Sequence, residues 1–263
     1  MTKTQISLTS QDQKYLIVCL LVVFFVWLIP FTIGKDIAVF VNDIYYMVVL
    51  LFLTMVSVYR LIESKKDSRK VWILFLVSII GVLIAEHIWA IDELIFGTKP
   101  TLSYAEVAYL AYYLISIPFF ITYVKPLKNL ISKKILVLSI AISCATIISS
   151  WYYLIQPYID TYSIESISLS SFLIIDGVNL APVSIGIILF FKGKTNFFPS
   201  LIFFGMISQL ISDIIYQIAV ANGTYYSGSF EDLFFHMTFV LLMFGAYNFH
   251  QLDKKQDIGM KSA

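Results

Sequence analysis

Ile37-Ala-Val-Phe-Val-Asn-Asp-Ile-Tyr-Tyr-Met-Val-Val-Leu-Leu-Phe-Leu-Thr-Met-Val-Ser-Val-Tyr59 runs directly into Arg60-Leu-Ile-Glu-Ser-Lys-Lys-Asp-Ser-Arg-Lys70. The first run carries one charged residue, Asp43. As a helix rising about 1.5 Å per residue it is long enough to cross a hydrocarbon layer of roughly 30 Å. The second run holds five cations in eleven residues, and cations are strongly disfavoured in that layer. The junction at Tyr59 and Arg60 therefore reads as a helix leaving a bilayer into a basic loop.

Working outward, the same alternation recurs along the chain. Eight apolar stretches of 18–24 residues run Tyr15–Ile33, Ile37–Tyr59, Val71–Ile91, Tyr104–Val124, Ile135–Ile155, Leu169–Phe191, Phe197–Val220 and Leu233–His250. Sixteen of the eighteen Lys and Arg residues fall before the first stretch, after the last, or in the loops after the second, fourth and sixth. The other side receives only Lys35 and Lys99. Because cytoplasmic loops collect Lys and Arg, the pattern predicts an all-α protein of the cell membrane with eight spans and both termini cytoplasmic.

Composition leaves room for little else. Of 263 residues, 59% are hydrophobic and 13% charged. The segments between spans are too short to fold independently. The expected organisation is a cytoplasmic N-terminus at 1–14, a first four-helix half at 15–124, a basic linker at 125–134, a second half at 135–250 and a cytoplasmic tail at 251–263. The first stretch has no small-residue cleavage site before Lys35, so it reads as a retained span. Cys19 and Cys144 both fall within spans and suggest packing, not a disulfide framework or zinc motif. Phosphate-loop, GxSxG, HExxH and CxxC patterns are absent, so no cofactor is implied and an enzyme is disfavoured. The basic loops have no groove-reading element beside them, which argues against nucleic acid. Asn222-Gly-Thr224 reads as a turn or a glycosylation sequon on an outer loop.

The two halves echo one another. Glu86 is followed by Trp89, Gly97, Glu106 and Tyr109; Asp213 is followed by Tyr216, Gly223, Asp232 and Phe235. Asp43 precedes Arg60 by seventeen residues, and Asp176 precedes Lys192 by sixteen. An even number of spans per half gives both the same orientation, so duplication predicts a pseudo-two-fold axis along the membrane normal.

Charge inside a span is costly, and acids there usually face a bundle interior or a wet cavity. Chain direction puts Asp43, Glu86, Glu106, Asp176, Asp213 and Asp232 all in the outer third of the membrane. Helical spacing gives them companions on their own faces: Tyr46 with Asp43, Trp89 and Glu93 with Glu86, Tyr109 and Tyr113 with Glu106. The second half adds Asn179 beside Asp176, Tyr216 and Gln217 beside Asp213, and His236 beside Asp232. Glu106 and Asp232 also suit helix N-termini, where an acid caps free N–H groups. The deeper acids could instead be interhelical hydrogen-bonding groups. His87 and His236 lack metal-site spacing. His250 reads as an interfacial residue. Pro118 and Pro182 lie inside spans and are expected to kink them.

Ile84-Ala-Glu-His-Ile-Trp-Ala-Ile-Asp-Glu-Leu94 followed by Ser103-Tyr-Ala-Glu-Val-Ala-Tyr-Leu-Ala-Tyr-Tyr113 resembles a pattern of certain multi-span prokaryotic membrane sensor domains. Those modules precede GGDEF/EAL cyclic-di-nucleotide enzymes and some histidine kinases. Ser212-Asp-Ile-Ile-Tyr216, the Asn222–Ser229 loop and Asp232 extend the resemblance, which covers most of residues 70–250. It departs at Glu106, where Asp is usual, at Glu86, and at Phe234–Phe235, where Trp is common. The resemblance implies a signal-receiving module, here expected to stand alone without an output enzyme.

The leading expectation is a receptor-like membrane protein. It would bind an extracytoplasmic ligand or ion among the acids and signal to a separate cytoplasmic partner, with a homodimer compatible. An accessory subunit of a larger membrane complex and a small proton- or cation-coupled transporter are the alternatives.

Overall fold

The computed structural model describes residues 10–97, 104–156 and 164–261. Lys3, Lys99 and the side chain of His250 lie outside the described residues. The described chain is helical throughout: α1 Ser10–Thr32, α2 Lys35–Glu63, α3 Arg69–Leu94, α4 Tyr104–Val124, α5 Lys133–Ser150, α6 Ile164–Phe191, α7 Phe197–Ala221 and α8 Phe230–Lys261. A 3₁₀ turn, Lys125–Leu130, follows α4, and a π-helical turn, Trp151–Ile155, continues α5.

Seven of these helices, α2 to α8, are long and apolar enough to cross a membrane. The chain is thus a multi-pass helical protein suited to a lipid bilayer. In α1 the apolar stretch with described side chains is Lys14–Ile29, shorter than the expected Tyr15–Ile33. The elements differ elsewhere from the sequence pattern. The basic linker is partly a 3₁₀ turn, α6 begins before Leu169, and α8 continues past His250 to Lys261. Pro118 and Pro182 both lie inside unbroken helices.

Six helices close a ring in the order α2, α3, α4, α6, α7, α8 and back to α2, each packed on the next. Helix α1 buttresses α2 and α8 from outside, while α5 lies on α6. Burial follows this arrangement: 67% of the apolar window of α6 is buried against 22% for α5. Large apolar side chains such as Phe25, Phe40, Phe52, Met55 and Val137 point outward, which is favourable only against lipid tails.

Close helix approaches use small residues, as is usual where lipid gives no hydrophobic drive to association. At Gly177 a Cβ would come within 2.4 Å of the Ile147 side chain, fixing α5 on α6. At Gly81 a Cβ would meet the Ala108 carbonyl oxygen at 3.4 Å, bringing α3 onto α4.

One end of the ring interior is plugged. Phe75 meets Phe119 at 5.1 Å, Phe119 meets Tyr123 at 5.5 Å, and Tyr123 meets Phe203 at 5.4 Å between ring centres. Near this end the buried Arg60 guanidinium lies 4.9 Å from the centre of the Trp72 ring. The other end is polar and hollow.

Candidate functional site

The hollow end is the one bearing the α1–α2, α3–α4 and α7–α8 connections. Helices running toward it bring acids late in their sequence, Glu86 on α3 and Asp213 on α7. Helices leaving it bring acids early: Asp43 on α2, Glu106 on α4 and Asp232 on α8. These five carboxyl groups line one cavity of about 70 Å³, room for several waters. Ten aromatic rings share the wall, those of six tyrosines, Trp89 and three phenylalanines. Among the described residues that line it, none carries a cationic side chain.

The twelve residues singled out from the sequence divide. Asp43, Tyr46, Glu86, Trp89, Glu106, Tyr109, Asp213, Tyr216 and Asp232 line the cavity. Asp176, Asn179 and His236 do not, although the cavity draws on both halves of the chain. The Asp176 carboxyl lies beside that of Asp213, and Phe172, one turn earlier on α6, stacks on Tyr113 at 4.7 Å and forms the wall there. The Asn179 amide donates to Ser116 Oγ at 2.6 Å, away from the cavity. The His236 ring sits against Tyr45 and Tyr46, at 4.6 and 4.2 Å, so Tyr46 stands between it and the hollow.

The acids are held differently. Asp213 accepts from Tyr113 Oη at 2.8 and 2.7 Å and from Gln209 Nε2 at 3.2 Å. The Tyr109 hydroxyl donates to Glu86. Asp232 accepts the Gly228 backbone N–H at 2.5 Å on one oxygen and Tyr46 Oη at 3.4 Å on the other. It therefore acts in part as the helix-start acid that its position suggests, while still lining the cavity. Asp43 receives a hydrogen bond from Asn42, but its Oδ2 has no partner.

The Asn222–Ser229 connection roofs the hollow. Gly223, at φ 64°, ends α7 in the left-handed conformation, with the Thr224 N–H donating to the Ala219 carbonyl at 2.9 Å. Tyr225 packs edge-on against Tyr216 at 4.5 Å. Ser227 donates to Glu93, which also accepts from Trp89 Nε1 at 3.0 Å. Gly228 has φ 87°, and a Cβ there would stand 3.2 Å from the Ala38 carbonyl oxygen, so only glycine lets the roof lie on α2. Burial, followed by the nearby Asp232 carboxyl, pushes the Tyr225 phenol well above its usual range, which keeps it a neutral O–H donor. Lys35 stands outside, 4.5 Å from the Tyr226 ring.

Sequence reasoning about function passed over Tyr112, Gln209, Tyr225 and Ser227 as cavity residues. Gln209 sits one turn before Asp213 on the same helix face, so the spacing argument that found Tyr216 could have found it. The roof residues had no such signal, because loop residues carry no periodicity.

Comparison with family models, with curated proteins and with solved structures gives no match.

Proposed function

We propose that this chain is a receptor-like membrane protein that binds a ligand or ion in the roofed acidic cavity and passes a change of helix packing to a partner on the opposite face. The observation that carries this reading is the cavity itself, with five carboxyl groups and no cation among its described lining residues. Such a wall is poor packing for a purely structural bundle. It is a reasonable way to hold an occupant that arrives and leaves. The resemblance to prokaryotic sensor modules points the same way. In this reading the cavity faces the extracytoplasmic side with both termini inside, because the basic loops lie at the other end of the helices. Helix α1 is the eighth span in this reading, since it leans on α2 and α8 with a lipid-facing surface.

Duplication of a four-helix unit accounts for the ring. Its order is unchanged when α2, α3 and α4 exchange with α6, α7 and α8. The register agrees in two places. Gly81 approaches the Ala108 carbonyl, and at the corresponding positions Ser208 Oγ donates to the Phe234 carbonyl at 2.7 Å. Gly97 and Gly223 end α3 and α7 with φ of 62° and 64°.

A transporter is the weaker reading. Among the described residues, a void of about 10 Å³ lies beyond the cavity beside Ser78, Ser116 and Thr238, roughly one water, and then the Phe75–Phe119–Tyr123–Phe203 plug. The receptor reading is tested in nanodiscs by titrating sodium, calcium, protons and small amines. Trp89 emission reports on the cavity, and spin labels at Lys66 and Ser132 report on the opposite loops. At least one probe should move both signals together. A probe that shifts Trp89 without changing the loop distance defeats signalling, and uptake of that probe into proteoliposomes favours transport. Topology is tested separately: a cysteine at Thr224 in a Cys19→Ser, Cys144→Ser background should react with an impermeant reagent from outside. Cysteines at Lys66 or Ser132 should not.

A further inference from the structure

The unmet hydrogen-bonding capacity of the residues that line the cavity has one sign. Among the described lining residues, the buried side-chain atoms without a partner are Asn42 Oδ1, Asp43 Oδ2 and Gln209 Oε1. Their residues are 3%, 4% and 2% exposed. All three atoms are acceptors. An occupant toward which these side chains turn must bring donors, and it enters a wall of five carboxyl groups with no cationic side chain beside them. Anions are poorly suited, because the wall sets five carboxyl groups and no cationic side chain against a carboxylate or phosphate. A bare metal ion is poorly suited too: among the described residues no three His, Cys, Asp or Glu side chains converge as a metal cage. The aromatic rings supply what an alkyl-bearing cation uses and a hydrated metal does not, namely π faces and apolar contact.

We propose that the cavity binds a small protonated organic amine, its N–H groups directed at Asp43, Asn42 and Gln209 and its alkyl part held by the tyrosine-rich wall. This deepens the receptor reading and rests on it. An alkyl ammonium of a few heavy atoms matches a volume of about 70 Å³, whereas a long polyamine would have to displace the roof. The roof closes over it through Tyr225 and through Ser227 bonded to Glu93.

The test uses the full chain in nanodiscs, with Trp89 emission and thermal stability as readouts. Propylammonium is the probe, with 1-propanol as its neutral counterpart and sodium and calcium as inorganic cations. Propylammonium should bind saturably, and 1-propanol at least tenfold more weakly. Gln209→Leu and Tyr216→Leu should each weaken propylammonium at least fivefold. A Tyr216→Phe control should keep most of the affinity, showing that the ring and not a misfolded cavity is read. Equal response to 1-propanol, or no saturable response to propylammonium, overturns the proposal. If an inorganic cation alone moves Trp89 and the Lys66–Ser132 distance, the amine assignment falls and the receptor reading survives. If propylammonium binds without moving the loops, the amine site stands and signalling falls.

Discussion

Asp43, seventeen residues before Arg60, and Asp176, sixteen before Lys192, meet opposite surroundings. Asp43 borders the hollow with one oxygen unpartnered. Asp176 is 1% exposed, lies against Asp213 and does not reach the cavity. The difference comes from the next residue along each helix. Ile44 follows Asp43 and is 40% exposed, facing the lipid side of α2. Gly177 follows Asp176 and receives Ile147 of α5, while Ser143 Oγ donates to its carbonyl at 2.6 Å. A helix clamped from outside is pressed into the ring and its acid becomes part of the wall's backing. Helix α2, which turns Ile44 toward the lipid side, keeps its acid at the edge of a hollow. Similar polar spacing thus leaves one acid at the edge of the cavity and the other behind its wall.

The largest effect should come from Asp213→Ala. It strips Tyr113 Oη and Gln209 Nε2 of their common acceptor, and unsatisfied buried donors cost about 1–3 kcal/mol each. A loss of about 3 kcal/mol is expected in unfolding from detergent micelles. Glu86→Ala removes the acceptor of Tyr109 and should cost about half as much. A larger loss for Glu86→Ala would mean that the Asp213 network is not what holds this wall together.

Next comes the clamp. Gly177→Ala places a methyl 2.4 Å from Ile147 Cγ1, and overpacking of this kind costs about 1–3 kcal/mol. Adding Ile147→Ala should recover most of it. Ile44→Ala, at the corresponding place on α2, should change stability by less than about 0.5 kcal/mol. If the two substitutions cost the same, helix clamping is not what separates the halves.

The roof is a smaller test. Gly228→Ala must hold φ 87° and push against the Ala38 carbonyl, which strains the loop by about 1–2 kcal/mol. The expected readout is increased quenching of Trp89 by an aqueous quencher, with the helical circular dichroism unchanged. Unchanged quenching would mean that the roof is held by Ser227 and Tyr225 alone.

Much of this was legible in the sequence because bilayer physics writes in long, simple signals. Runs of about twenty apolar residues mark helices. Five of the six acids came together in the hollow because chain direction and helical rise fix height. Lateral position is another matter. Whether Asp176 and Asn179 face the hollow depends on which helix leans on α6, and that is set by contacts such as Gly177 with Ile147 that periodicity does not encode. His236 was a companion of Asp232 by spacing, but the ring of Tyr46, from a different helix, intervenes. The roof depends on a loop glycine meeting Ala38 across the fold, which no local rule anticipates.

A small change in stability should come from Asp43→Asn, and it bears most directly on the comparison. Asp43 takes one hydrogen bond from Asn42 and leaves Oδ2 unpartnered. An asparagine oxygen can keep the first bond, and its NH₂ replaces an atom that had no donor to lose. The cost without ligand should be under about 1 kcal/mol. For an amine the same change is severe, since a carboxylate acceptor becomes a neutral donor pointing at the ligand's own N–H groups. Propylammonium affinity should fall at least tenfold in Asp43→Asn and stay within twofold of the parent in Asp176→Asn. Stability curves and Trp89 titrations on the same samples separate the two effects. Loss of binding in Asp176→Asn with binding kept in Asp43→Asn would mean that the buried pair, and not the open acid, is the one that meets the ligand.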